Sequence, residues 1–311
     1  MINVLTIILS VFVYVFIGYI LKKFFFIPKK IEKVFTFFSF NLLLPLALII
    51  NFWLITFPEI YILKLLFSFF GAGVIIFIIG FIIGKLSFNF ETDDCAIFGL
   101  GACFGNSVAL GIPLMYSILG PVNAMPYMIL VLFHGVIHFT YTTFIIEGYR
   151  NRNKSSLKKI IYTVLGLAQN LVLAGMLIGL TLNYFNVTFN ENLKFYLMPI
   201  SKFALPTVLI SMGIALAGFK INLNLYYPIT LTILKNFVYP LIAFVFSKYL
   251  FNLPSLLVFI VTMAAALPSG TQTYYFSYRY NSLKNIISAN VVISTFTSFF
   301  TLSILLMIFN H

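Results

Sequence analysis

Gly99-Leu-Gly-Ala-Cys-Phe-Gly-Asn-Ser-Val-Ala-Leu-Gly-Ile-Pro113 sits in the middle of a long apolar run, and its punctuation decides how the chain folds. Proline removes a backbone donor and clashes with the preceding turn. Glycine loosens the backbone, and the neighbouring Asn106 and Ser107 can satisfy the groups so freed. A second stretch, Ala264-Ala-Ala-Leu-Pro-Ser-Gly-Thr-Gln-Thr273, breaks the same rules with the same residue types. In hydrocarbon such irregular backbone survives only when it is buried in protein or lines a cavity. Interrupted segments at corresponding positions of two halves mark a binding site in membrane carriers built from repeats.

The surroundings of these stretches are those of a membrane protein. The 311 residues are 61% hydrophobic and only 8% charged, against roughly a quarter charged in soluble domains. Ten apolar segments separate at polar breaks: 2–22, 31–51, 60–85, 95–118, 123–147, 160–184, 193–218, 226–250, 254–278 and 285–309. Each approaches the roughly 20 residues that a spanning helix needs. The net charge of +12 does not form a nucleic-acid patch, because the basic residues are scattered among short loops. With the amino terminus outside, fourteen of the 19 Lys and Arg residues fall in cytoplasmic loops and four outside, while Lys235 lies within a span. That asymmetry follows the positive-inside rule and predicts both termini to be non-cytoplasmic. Residues 1–21 carry no charge, so the basic region of a cleavable signal peptide is missing. Cys95 and Cys103 form no recognisable disulfide or metal spacing.

A repeat organises the segments. Ser39-Phe-Asn-Leu-Leu-Leu-Pro45 and Ser201-Lys-Phe-Ala-Leu-Pro206 place their prolines 161 residues apart. The same offset maps segment 1 onto 6, 3 onto 8 and 5 onto 10, and carries Asn106 next to Pro268. Five helices are an odd number, so the halves enter the membrane from opposite sides. The expected architecture is all-α and polytopic: ten transmembrane helices as two inverted five-helix repeats. Residues 1–149 form the first repeat, 150–159 a basic cytoplasmic linker, and 160–311 the second, inverted repeat.

Within this frame the interrupted segments 4 and 9 are the expected substrate site, through Asn106, Ser107, Gly111, Pro113, Pro268, Ser269, Gly270, Thr271 and Gln272. Half-helix amino ends present unpaired N–H groups and a positive dipole end, which suit carboxylates. Gly99 and Gly101 are read instead as small residues permitting close helix packing. Lys235 lies about 13 Å along its helix from the cytoplasmic edge. It either snorkels to that edge or turns inward, to attract substrate or to bond opened backbone. His134 and His138 share one helix face. His138 reads as an interhelical hydrogen-bonding residue. His134, near mid-membrane, is a candidate coupling residue. A zinc site is not expected, since the pair lacks the glutamate of a metalloprotease motif and a third ligand.

The motif set resembles a known family. Asn-Ser-Val-Ala-Leu-Gly-Ile-Pro113, Phe-His134 with Glu147 closing the same helix, Leu-Pro206 with Ser-Met-Gly213, Lys235 with Pro240, and Ala-Leu-Pro-Ser-Gly270 followed by Tyr278-Arg-Tyr are similar to the auxin efflux carrier family. That family includes bacterial malate and malonate permease-like members. The resemblance implies broken helices 4 and 9 crossing at mid-membrane and a homodimerising scaffold of helices 1, 2, 6 and 7. Helices 3–5 and 8–10 would form a moving, elevator-type transport unit. The long hydrophilic central loop of the plant exporters is absent here, where only residues 150–159 stand in its place.

The expected function is a secondary carrier in the inner membrane for small organic anions such as mono- or dicarboxylates, surrounded by lipid and needing no cofactor, metal or nucleic acid. No acidic residue falls at mid-membrane, so electrogenic export is the simplest energetics, with proton- or sodium-coupled uptake as the alternative. An intramembrane enzyme is disfavoured by the lack of a GxSxG or HExxH element or an aspartate pair. A channel is disfavoured because the breaks are confined to one helix per half.

Overall fold

The computed structural model describes residues 2–25, 27–54, 61–150, 171–188, 191–219 and 224–309. The basic stretch 151–159, the start of the sixth segment, Glu59, Lys220 and both chain ends lie outside the described residues. Within them the chain forms helices, and its only extended pairing is one isolated backbone bridge. We label the helices α1 (Ile2–Phe24), α2 (Lys29–Trp53), α3 (Ile62–Leu86), α4 (Thr92–Cys103), α5 (Ser107–Asn123), α6 (Met125–Arg150), α7 (Leu171–Tyr184), α8 (Glu191–Gly218), α9 (Tyr226–Leu250), α10 (Ser255–Ala266), α11 (Thr271–Tyr280) and α12 (Lys284–Phe309). Six helical stretches among the described residues are long and apolar enough to cross a membrane, and shorter apolar helices accompany them. Segments 4 and 9, expected to be interrupted, are end-to-end pairs of short helices, α4–α5 and α10–α11.

Prolines explain the local shape of three helices. Widened π-helical turns occupy Ser39–Leu43, Ser107–Gly111 and Leu234–Val238. Each ends two residues before a proline: Pro45, Pro113 and Pro240. A proline ring clashes with the carbonyl four residues earlier, and that residue is the third of each widened turn. Widening the turn relieves the clash without ending the helix.

Two helix groups result. In the first, α1 packs on α8 and α2 packs on α7. Gly18 of α1 lies on the backbone of Ile210, and Gly213 of α8 lies on that of Val15, so the two helices cross in close contact. Gly175 faces Pro45, Gly179 faces Ile49, and Asn183 Nδ2 donates to the Trp53 carbonyl at 2.8 Å. One constant offset joins these three contacts, so α2 and α7 run parallel. A methyl group on Gly175 would lie 2.6 Å from the Pro45 carbonyl oxygen.

In the second group, α3 packs on α4, α4 on α6, α9 on α10 and α12, and α11 on α12. Gly99 serves packing, as the sequence reading holds: an added Cβ would sit 2.7 Å from the Phe77 carbonyl oxygen. Gly101 is closed off by Ile287 in the same way. At one end of this group Arg150 pairs with Asp93, Tyr149 donates to Glu91 at 2.7 Å, and Ser282 bonds Asp94. These polar contacts tie together the start of α4, the end of α6 and the turn after α11. Phe67, Leu86, Phe195, Phe203 and Phe300 project outward, so the outer surface of the helices is apolar.

Candidate functional site

The two helix breaks meet. Leaving α4, Phe104 is extended (φ −79°, ψ 110°), and so is Leu267 leaving α10 (φ −55°, ψ 145°). Gly105 and Ser269 then pair in an antiparallel bridge. The Asn106 amide donates to the Pro268 carbonyl at 2.7 Å, and the Gly270 amide donates to the Phe104 carbonyl at 3.0 Å. Each break thus supplies one donor and one acceptor to the other. An unmet backbone group in hydrocarbon costs several kcal/mol, so this exchange is what makes two interrupted helices tolerable at one depth. Gly270 is required at the crossing, because a Cβ there would lie 2.9 Å from the Gly105 carbonyl oxygen and from the Phe104 ring.

Side chains meet the remaining backbone groups. Lys235 is fully buried, and its Nζ donates to the Ala265 carbonyl at 2.5 Å while lying 4.8 Å from the centre of the Tyr239 ring. Lys235 therefore turns inward rather than snorkelling, and it bonds opened backbone at the carboxyl end of α10. The Ser269 amide donates to Ser294 Oγ at 3.0 Å, and Asn290 Nδ2 donates to the Gly101 carbonyl at 3.3 Å. On the other side, Tyr127 donates to the Ser107 carbonyl at 2.6 Å. Asn106 accepts the Ala109 amide at 3.3 Å and so caps α5, the preference expected of asparagine at a helix start.

Beyond the crossing, α5 and α11 begin facing a shared cavity of about 420 Å³. Val108 and Ala109 line it from α5, and Thr271 and Gln272 line it from α11. The first amides of a helix have no preceding carbonyl to bond, and both helices bring that end here. Opposite them stand Asn41 of α2 and Ser211 of α8. No acidic side chain lines the cavity among the described residues.

The residues singled out from sequence divide accordingly. Thr271 and Gln272 line the cavity. Asn106, Pro268, Ser269 and Gly270 build the crossing that holds it open. Ser107 opens α5, immediately before the cavity-lining Val108. Gly111 and Pro113 shape the scaffold: a methyl on Gly111 would collide with the Tyr127 hydroxyl and lie 2.7 Å from Leu267, and Pro113 is buried inside α5 behind its widened turn. Thr36, Asn41, Ser211 and Tyr275 line the cavity too yet carry no sequence signal, since a lone polar residue in a spanning helix resembles any other.

His134 is buried, with Nδ1 2.9 Å from Ser107 Oγ and its ring stacked on Phe104 at 4.3 Å. Among the described residues His134 Nε2 has no hydrogen-bond partner. His138 Nδ1 donates to the His134 carbonyl at 2.8 Å, within its own helix; this corrects the interhelical bond expected of it. No group of three His, Cys, Asp or Glu side chains that could hold a metal occurs among the described residues.

A family model described as membrane transport protein matches residues 3–306, a span that includes both breaks and the cavity. No curated protein matches the chain.

Proposed function

The chain belongs to the membrane transport protein family, that of the auxin efflux carriers, and from that premise we propose that it is a secondary carrier for small organic anions. The observation that carries this reading is the convergence of the α5 and α11 amino ends on one cavity that, among the described residues, no acidic side chain lines. Helix amino ends are ready-made anion sites. The cavity falls in the size range of ligand pockets, about 300–1,000 Å³. Small mono- and dicarboxylates match its size and polarity.

The architecture proposed for transport has ten spans in two inverted repeats, residues 1–149 and 160–311, joined by the basic stretch 150–159. Helices α4–α5 and α10–α11 are then spans 4 and 9, crossing at mid-membrane. The cavity is bounded on one side by α2, α7 and α8 and on the other by α5 and α11, the helices that leave the crossing. This arrangement suits an elevator: α1, α2, α7 and α8 stay fixed as the dimer scaffold, and the second helix group carries the anion across the inner membrane. Both termini are then non-cytoplasmic.

Moving one charge through the membrane potential is worth about 2.3 kcal/mol per 100 mV, or roughly 50-fold in concentration. A monovalent anion moving alone is therefore driven outward. A second reading, proton-coupled uptake, is favoured by the unpartnered His134 beside Ser107. The test is counterflow of radiolabelled malate, malonate and lactate in proteoliposomes, repeated under an imposed potassium-diffusion potential. Saturable counterflow supports a carrier, and its absence for every carboxylate overturns the reading. Flux that follows the potential supports uncoupled export of the monovalent anion.

A further inference from the structure

His134 leaves a hydrogen-bonding position empty inside the protein. A neutral imidazole has one N–H donor and one acceptor nitrogen. Ser107 Oγ can complement Nδ1 in either role, so Nε2 is unpartnered among the described residues whichever tautomer is present. Ser107 is the first residue of α5, immediately before the cavity-lining Val108. The imidazole therefore stands one hydrogen bond from the start of the helix whose amino end faces the cavity.

We propose that the Ser107–His134 pair is a proton-binding site linked to the occupancy of the cavity, so that the carrier takes up one proton with each anion. The proposal rests on the reading of the cavity as an anion site. The proton comes from water and resides on the imidazole as imidazolium; no other bond is made or broken.

The groups around His134 set the charge balance. From the break between α4 and α5 come Phe104 and Ser107, and from α3 comes Phe69 at 5.8 Å. From α6 comes His138 at 4.6 Å, which is followed by Tyr141, hydrogen-bonded to Cys103 at 3.2 Å. From α9 come Tyr239, packed on Phe69, and Lys235 beside Tyr239. Among the described residues this set holds one further basic group, the Lys235 amine, and no carboxylate. A positive charge on His134 has no anionic partner among these groups, whereas an anion at the amino end of α5 supplies one. The anion and the proton thus stabilise each other's binding, and the coupling is reciprocal by necessity. Both ligands sit on the same helix group, so they cross together. Co-transport of a monovalent anion and a proton is electroneutral and follows the pH gradient.

The test uses the purified full-length protein and lactate, whose carboxylate stays ionised between pH 5.5 and 7.5. Adding saturating lactate in weak buffer should draw close to one proton per anion bound. The His134→Gln variant should bind lactate without that uptake, and His138→Gln should keep it. Lactate affinity should be about 100-fold tighter at pH 5.5 than at 7.5, the tenfold per pH unit that one linked proton gives, and flat in His134→Gln. The chain has only 3 histidines, so imidazole nitrogen spectra of the wild-type protein, assigned by comparison with His138→Gln and His311→Gln, report His134 even where His134→Gln does not fold. Its signal should move to the imidazolium position when lactate is added. Binding without proton uptake, or a His134 signal that stays neutral, overturns the proton site and leaves the anion site standing. Failure of lactate, malate and malonate alike to bind overturns the anion site and this proposal together.

Discussion

Lys235 Nζ and the Ala265 carbonyl oxygen lie 2.5 Å apart, with the lysine fully buried. The bond places a cation at the carboxyl end of α10, the end where a helix accumulates negative partial charge. Its aim follows from the widened turn at Leu234–Val238, which is itself a response to Pro240.

Lys235→Met should therefore lower stability, because the Ala265 carbonyl loses a charge-assisted bond at a depth without water. A bond to a charged group contributes about 1.5–3 kcal/mol. The expected result is a fall of several degrees in the apparent Tm of the detergent-solubilised protein. An unchanged melting curve would show that Ala265 needs no donor.

Gln272→Leu and Asn106→Leu should differ in kind. Gln272 lines the cavity, so its loss should weaken carboxylate binding by tenfold or more at nearly unchanged Tm. Asn106 caps α5 through the Ala109 amide. Its loss should cost about 1 kcal/mol of stability and weaken binding as well. Paired melting and binding curves separate the two, and a normal affinity in both variants would move the site elsewhere.

Tyr127 and Gly111 should be energetically coupled. The Tyr127 hydroxyl holds the Ser107 carbonyl and fills the space where a Gly111 side chain would go. Gly111→Ala should destabilise the wild-type protein by about 1–3 kcal/mol through overpacking and less in a Tyr127→Phe background. A double-mutant cycle reads the difference directly, and strict additivity would mean that the two residues do not compete for space.

Gly175→Leu should separate α2 from α7. The added atoms would meet the Pro45 backbone, where even a single Cβ comes within 2.6 Å. If these helices belong to a fixed dimer scaffold, the variant should lose dimer in size-exclusion chromatography with light scattering before it loses helical content. Retention of an intact dimer would place the dimer contact away from this crossing.

Orientation can be tested without background, because Cys95 and Cys103 are both buried. A cysteine introduced at Ser155 should react with impermeant reagents only from the cytoplasm, and one placed after Asn310 only from the periplasm. The opposite pattern would overturn the inverted-repeat reading along with the topology.

The apolar runs, the glycines and prolines that interrupt two of them, and the lopsided distribution of Lys and Arg are local properties. For that reason the sequence by itself determined the helical membrane class, the positions of both breaks and the family. The same holds for Gly99 and Gly101, since a small residue in a spanning helix already implies close packing. Local sequence does not name the partner of a buried polar group, because that partner stands on a helix far away in the chain. Only the tertiary structure joined Gly105 to Ser269, aimed Lys235 at Ala265, and set Ser107 against His134. It also turned Gly111 and Pro113 from candidate ligands into packing elements, and brought Asn41 and Ser211 to the cavity. The physical reason is the absence of water at this depth: every opened backbone group must find a donor or acceptor within the protein, and only the packing of distant helices decides which one lies within reach.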